Sequence, residues 1–126
     1  MGRTVELQPW ITLRGATGWP ELMQEVDDWL DVSNYKTASV RIELRQIYGA
    51  VTGCTLYLEG CDQSGGLFTT HKSLGSANVG TTMVYLLRQA PYGAAERLNN
   101  LLRWKVVGPG NNGEWVACFR ITAVFK

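Results

Sequence analysis

A single histidine, His71, limits the chemistry available to this chain. A Ser-His-Asp relay would have to use it, oriented by Asp27, Asp28, Asp31 or Asp62, and no G-x-S-x-G elbow supplies the nucleophile. The plainer reading of His71 is a strand-end residue beside a loop. Glycosidase chemistry needs only two carboxylates at a suitable separation, and nothing marks out a pair among the eleven acidic residues. Zinc sites gather Cys and His, whereas Cys54, Cys61 and Cys118 are scattered and form no C-x-x-C. Asp27, Asp28 and Asp31, or the turn at Asp62, offer oxygen ligands of the kind calcium takes. There is no D-x-[DN]-x-[DN]-G loop, however, and a solvated acidic turn is the commoner meaning of such a cluster. Gly108 to Gly113 lacks the G-K-[ST] ending of a phosphate loop. The expectation is a protein that is not an enzyme and that carries no metal and no cofactor.

The aromatics are the stronger signal, with five Trp and five Tyr. Trp104 and Phe119 have the strand parity of core residues, whereas Trp10, Trp19, Trp29, Tyr35, Tyr48, Tyr57 and Tyr92 are less clearly buried. Rings of this kind combine apolar area with a polar handle, so outside a core they stack on sugars or anchor protein interfaces. Trp19, Trp29, Tyr35 and Tyr92 are the candidate binding residues, in loops at one end of the domain. The competing reading for each is that it fills the core and its ends.

The length of 126 residues fits one domain, 1–126, able to bury a two-layer core. An apolar fraction of 45% argues against disorder, and fourteen glycines with only 18% charged residues suit a turn-rich all-β domain. A formal charge of +1, with dispersed basic residues, is far from the excess that displaces counterions from nucleic acid. No apolar run approaches the ~20 residues of a membrane span, and the start, Met1-Gly2-Arg3-Thr4-Val5-Glu6, lacks the apolar core of a signal peptide. A virion or a cytoplasmic assembly is therefore the expected location. With an odd count of cysteines, Cys54 and Cys118 read as small buried hydrophobes, and a bridge from Cys61 to either stays open.

These residues need elements to hold them, and the clearest lie between Lys36 and Glu59. Val40, Ile42 and Leu44 alternate with Ser39, Arg41, Glu43 and Arg45; Cys54, Leu56 and Leu58 alternate with Thr55, Tyr57 and Glu59. Period-two alternation predicts strands with one face in a core. The mixed signs of Arg41-Glu43-Arg45 suit a solvated face or a protein contact with paired charges. Thr4 to Leu13 predicts an edge strand interrupted at Pro9. Trp19 to Leu30 is ambiguous: Pro20 could open a helix bearing Leu22, Val26 and Trp29, and extended structure over Glu25 to Val32 is the favoured alternative. Asp62 to Gly66 predicts a tight hairpin connection. Further strands are expected at Leu67 to His71, Thr81 to Arg88 (Met83, Tyr85 and Leu87 on one side), Leu101 to Val107 and Glu114 to Phe125. Gln89 to Asn100 reads as a loop with one helical turn from Ala94 to Leu98, and Gly108 to Gly113 as a turn. The sum is an all-β, antiparallel two-sheet β-sandwich of about eight strands, in jelly-roll or Greek-key topology. An immunoglobulin-type sandwich is second, since the Cys…Trp…Cys spacing is missing.

Three stretches carry a resemblance: Trp29-Leu30-Asp31-Val32-Ser33, Tyr57 to Phe68, and Leu101-Leu102-Arg103-Trp104-Lys105-Val106. In that order the chain resembles the galactose-binding-like jelly rolls, the group of discoidin domains and many carbohydrate-binding modules. Cys61 and Gln63-Ser64 depart from the group's hairpin pattern. The resemblance implies the β-sandwich, and a fold of this kind serves sugar binders, adhesion modules and virion components alike. By type, though not by motif, the chain is also similar to small accessory or decoration proteins of phage heads and tails.

Two functions follow as expectations. The first is a non-catalytic structural protein binding the protein subunits of a larger assembly, a homo-oligomer included. The alternative is a carbohydrate-binding module taking a glycan on its exposed Trp and Tyr. Coplanar exposed rings beside polar groups would favour sugar; an apolar patch of several hundred Å² would favour a protein partner.

Overall fold

The computed structural model describes residues 2–15, 21–49, 53–62, 66–89, 93, 96–108 and 114–126. They form nine strands: β1 (Arg3–Gly15), β2 (Glu21–Met23), β3 (Leu30–Asp31), β4 (Thr37–Gly49), β5 (Thr55–Cys61), β6 (Thr69–Leu74), β7 (Thr82–Arg88), β8 (Leu101–Val107) and β9 (Trp115–Phe125). One antiparallel sheet has the order β1-β9-β4-β7. The other runs β2-β8-β5-β6, with β3 also on β8.

β2 and β3 lie along the same side of β8, β2 beside Lys105–Val107 and β3 beside Leu101–Leu102. They are two pieces of one interrupted edge strand. Counted so, each sheet has four positions, and successive strands cross between sheets except at the β5–β6 hairpin. That is the jelly-roll arrangement.

Alternation sets the core. Ala38, Val40, Ile42 and Leu44 of β4, with Ala117, Phe119, Ile121, Ala123 and Phe125 of β9, face Leu56 and Leu58 of β5 and Leu102, Trp104 and Val106 of β8. All are buried, and Trp104 meets Phe119 edge-to-face with ring centroids 5.2 Å apart.

Several expectations need correcting. β4 and β5, consecutive and alike in pattern, lie in different sheets. Glu25 to Val32 is not one strand. Val26–Asp28 is a 3-10 turn with Val26 exposed, and only Glu21–Met23 and Leu30–Asp31 are extended. The strand after the hairpin is shifted to Thr69–Leu74. Cys54 and Cys118 are the buried residues expected of them, and the bridge left open for Cys61 does not form: all three are buried thiols. The turn residues 109–113 and the first two residues of the expected helical turn, Ala94 and Ala95, lie outside the described residues.

Candidate functional site

On the outer face of the β2-β8-β5-β6 sheet, parity turns Arg103 and Lys105 of β8 and Tyr57 and Glu59 of β5 away from the core. Arg103 donates to Glu59 Oε1 from Nε at 3.0 Å and from Nη2 at 2.9 Å, and Lys105 Nζ lies 3.3 Å from Glu59 Oε2. Glu59 and Arg103 are only 4% and 9% exposed. Their cover is aromatic. The guanidinium sits 3.3 Å from the Phe68 ring centroid and 4.9 Å from that of Trp29, and the two rings meet edge-on at 5.1 Å. Trp29 Nε1 donates to the Gln24 carbonyl at 2.8 Å. The candidate Trp29 is thus half-buried in an ion–aromatic cluster.

Tyr35 lies elsewhere, half-buried, its ring stacked on Phe125 at 5.1 Å and its hydroxyl 3.5 Å from Arg3 Nη1. Trp29 and Tyr35 therefore take different ring partners and do not build one platform. Trp19 and Tyr92 lie outside the described residues.

His71 is buried on β6, where the β5–β6 register shifts, and packs over Gly60: a Cβ there would lie 2.2 Å from His71 Nε2. Asp62 is engaged by Asn99 Nδ2 at 3.3 Å. Asp31 accepts from the Ser33 hydroxyl at 2.7 Å, which holds its carboxyl below the usual range. Among the described residues, no three side chains of His, Cys, Asp and Glu converge as a metal would require.

The outer face of the β1-β9-β4-β7 sheet is different. Five large apolar side chains are left in solvent there: Trp10 (39% exposed), Tyr48 (57%), Val84 (61%), Leu86 (47%) and Val124 (37%). The register places Leu86, Ser39, Val124 and Thr4 in one row and Val84, Arg41, Thr122 and Glu6 in the next. Across the middle, Glu43 takes Arg120 Nε at 2.6 Å and has Arg41 Nη2 at 3.7 Å, while Arg45 and Arg120 lie 4.2 and 5.2 Å from the Trp10 centroid. The mixed signs of Arg41-Glu43-Arg45 thus resolve into local pairs. At the far end Arg14, Gly15, Tyr48, Glu114, Trp115 and Val116 line a concavity of about 340 Å³. A side chain at Gly15 would collide with the Trp115 indole, so this wall is built on a glycine.

Sequence reasoning passed over Val84, Leu86 and Val124. A signal existed: β7 is apolar at both parities, Met83-Tyr85-Leu87 and Val84-Leu86, the pattern of a strand covered on both faces.

The molecule is thus a jelly-roll β-sandwich with one sheet face sealed by its own charges and aromatics and the other carrying uncovered apolar groups. No protein-family profile matches the chain, and no curated protein does. Among solved structures, it is similar to part of the chain in T=1 particles derived from infectious bursal virus, at 18% identity and a TM-score of 0.41. It is likewise similar to part of the infectious bursal disease virus VP2 subviral particle chain, at 17% identity and a TM-score of 0.43. Each match covers 98% of this chain but only 31% and 32% of those chains, so this chain spans a minor part of their length.

Proposed function

We propose that the chain is a non-catalytic structural subunit that binds other protein subunits through the outer face of its β1-β9-β4-β7 sheet. In its most concrete form it is an accessory or decoration protein of a virus particle such as a phage head or tail. The observation that carries this reading is the set of exposed apolar residues Trp10, Tyr48, Val84, Leu86 and Val124 on one sheet face, set around paired charges. Apolar anchors with a polar surround are the composition of subunit contacts. Separation of native source material by size, with quantitation of this chain, tests it. The expected result is a fixed stoichiometry with other proteins in a high-mass particle, lost roughly tenfold or more on Tyr48→Asp or Val124→Asp, as for interface anchors. Recovery only apart from any particle overturns it.

A second reading rests on the Tyr48 concavity, where an exposed ring stands beside Arg14 and Glu114. A ring with flanking polar groups can hold a sugar. On a glycan array this reading expects binding that Tyr48→Ala removes, and the subunit reading expects none.

A further inference from the structure

We infer that β7 is a pairing edge, and that its occupant is β7 of a second copy of this chain, antiparallel and centred on Val84. The inference rests on the subunit-binding reading above and names one of the partners.

The backbone phase of β7 is fixed at its C-terminal end. Gln89 N donates to Lys36 O, the residue just before β4, whereas Leu98 N donates to Arg88 O from the opposite side. Hydrogen-bonding direction alternates along an antiparallel strand. Met83, Tyr85 and Leu87 therefore bond inward to β4, and Thr82, Val84 and Leu86 turn their N–H and C=O groups outward. Among the described residues no strand pairs with those groups.

Open edges usually carry protection, as proline, charge, a bulge or shortness. β1 has Pro9, the charges Arg3, Glu6 and Arg14, and two register shifts. β6 has a register shift in its pairing and an exposed Lys72. β2 and β3 are three and two residues long. β7 pairs with β4 without a shift from Thr82 to Arg88, and no charged residue occurs between Ser73 and Leu87.

The absence of charge is what selects a second copy. Across a two-fold axis the residue on the axis meets its own duplicate and its neighbours meet each other's, so a charge on or close to the axis is brought near a like charge, and an uncharged run is compatible with itself. Arg88 is already bonded through its carbonyl by Leu98, which leaves Thr82, Val84 and Leu86 as the outward residues. One symmetric register uses all three: Val84 opposite Val84, and Thr82 opposite Leu86 on each side. It sets Val84 beside its own duplicate and Leu86 beside Thr82 of the other copy, and joins the two outer sheet faces into one.

Cysteine cross-linking reads that register. Directly opposed residues in a hydrogen-bonded pair have Cα atoms about 5.5 Å apart, within disulfide reach. Under mild oxidation, Val84→Cys should give a covalent dimer at least about tenfold faster than Thr82→Cys, Leu86→Cys or the unaltered protein, whose thiols are buried. Light scattering over a range of concentrations should show a dimer, and Leu86→Lys should make it monomeric with its circular dichroism spectrum unchanged. A monomer at every concentration, or cross-linking at Thr82 or Leu86 in preference to Val84, overturns the inference. A monomer found at fixed stoichiometry in particles would defeat the β7 pairing and leave the subunit reading standing. A dimer never found in particles would do the reverse.

Discussion

Glu59 is the residue on which the inner half of the charge network depends. It is buried, and it is the carboxylate partner of both Arg103 and Lys105. Burying the Glu59 and Arg103 charges is costly, and their mutual geometry offsets the cost only while the pair is complete. Glu59→Ala leaves a buried guanidinium without its counter-charge, for which a loss of about 3–5 kcal/mol is expected. The double change Glu59→Leu, Arg103→Met removes the two buried charges together, leaves the partly exposed Lys105 to solvent, and should recover much of that loss. Urea unfolding of the three proteins checks both statements. The Phe68 and Trp29 rings take part by shielding Arg103 from water, so the cluster performs on the outside of a sheet what a hydrophobic layer performs inside.

The interrupted edge β2–β3 is held by one side chain at the element scale. Gln24, 4% exposed, lies just after β2. Its Nε2 donates to Leu7 O of β1 and to Asp28 O, each at 3.1 Å, and its Oε1 accepts from Trp104 N of β8 at 3.3 Å. It therefore ties both sheets and the 3-10 turn together. Gln24→Leu is nearly isosteric and strips the buried partners of their bonds, each unsatisfied group costing about 1–3 kcal/mol. The expected outcome is a clear drop in the unfolding midpoint, together with faster hydrogen exchange at Trp104 N and Trp29 Nε1. This element also shows where sequence reading stops. β8 was legible to the residue, because Leu102, Trp104 and Val106 alternate with Arg103 and Lys105 in a strand long enough to display the period. β2 and β3 are too short for any period, and their shape comes from β8 and from a glutamine whose partners lie 17 and 80 positions away. The outer-face site was legible only in part: Tyr48 and Trp10 were among the aromatics less clearly buried, though not among the candidate binding residues, and the apolar residues Val84 and Leu86 at the second parity of β7 gained a meaning only with the order of strands.

For the molecule as a whole, groups shifted by burial or by hydrogen bonds set a stability profile with pH. Burial pushes the Cys54 thiol up from 9.0 to about 11 and raises the Tyr85 phenol as well. Between 9.0 and about 11 the unfolded chain has lost the thiol proton that the folded protein keeps, so the unfolded state gains and stability falls as pH rises through that window. Below 9.0 this contribution is intact. Asp31, lowered first by the Ser33 hydroxyl and then by the Ser33 backbone, acts in the opposite sense: its contribution is present above 3.8 and is lost as pH falls. The urea midpoint should accordingly decline from pH 9 to 11, with a shallower decline for Cys54→Ala. A flat profile to pH 11 in the unaltered protein would show that the thiol is not desolvated.

The position of β9 between β1 and β4 has a further bearing on how the chain is made. Synthesis delivers β1 first and the strand that joins it to the rest after the other seven. Until residues 115–125 have left the ribosome, β1 has no neighbour and β4 lacks one of its two. A half-made chain therefore shows sticky apolar ribbons to every other nascent chain nearby. Correct production depends on keeping those ribbons apart until β9 slides in between them.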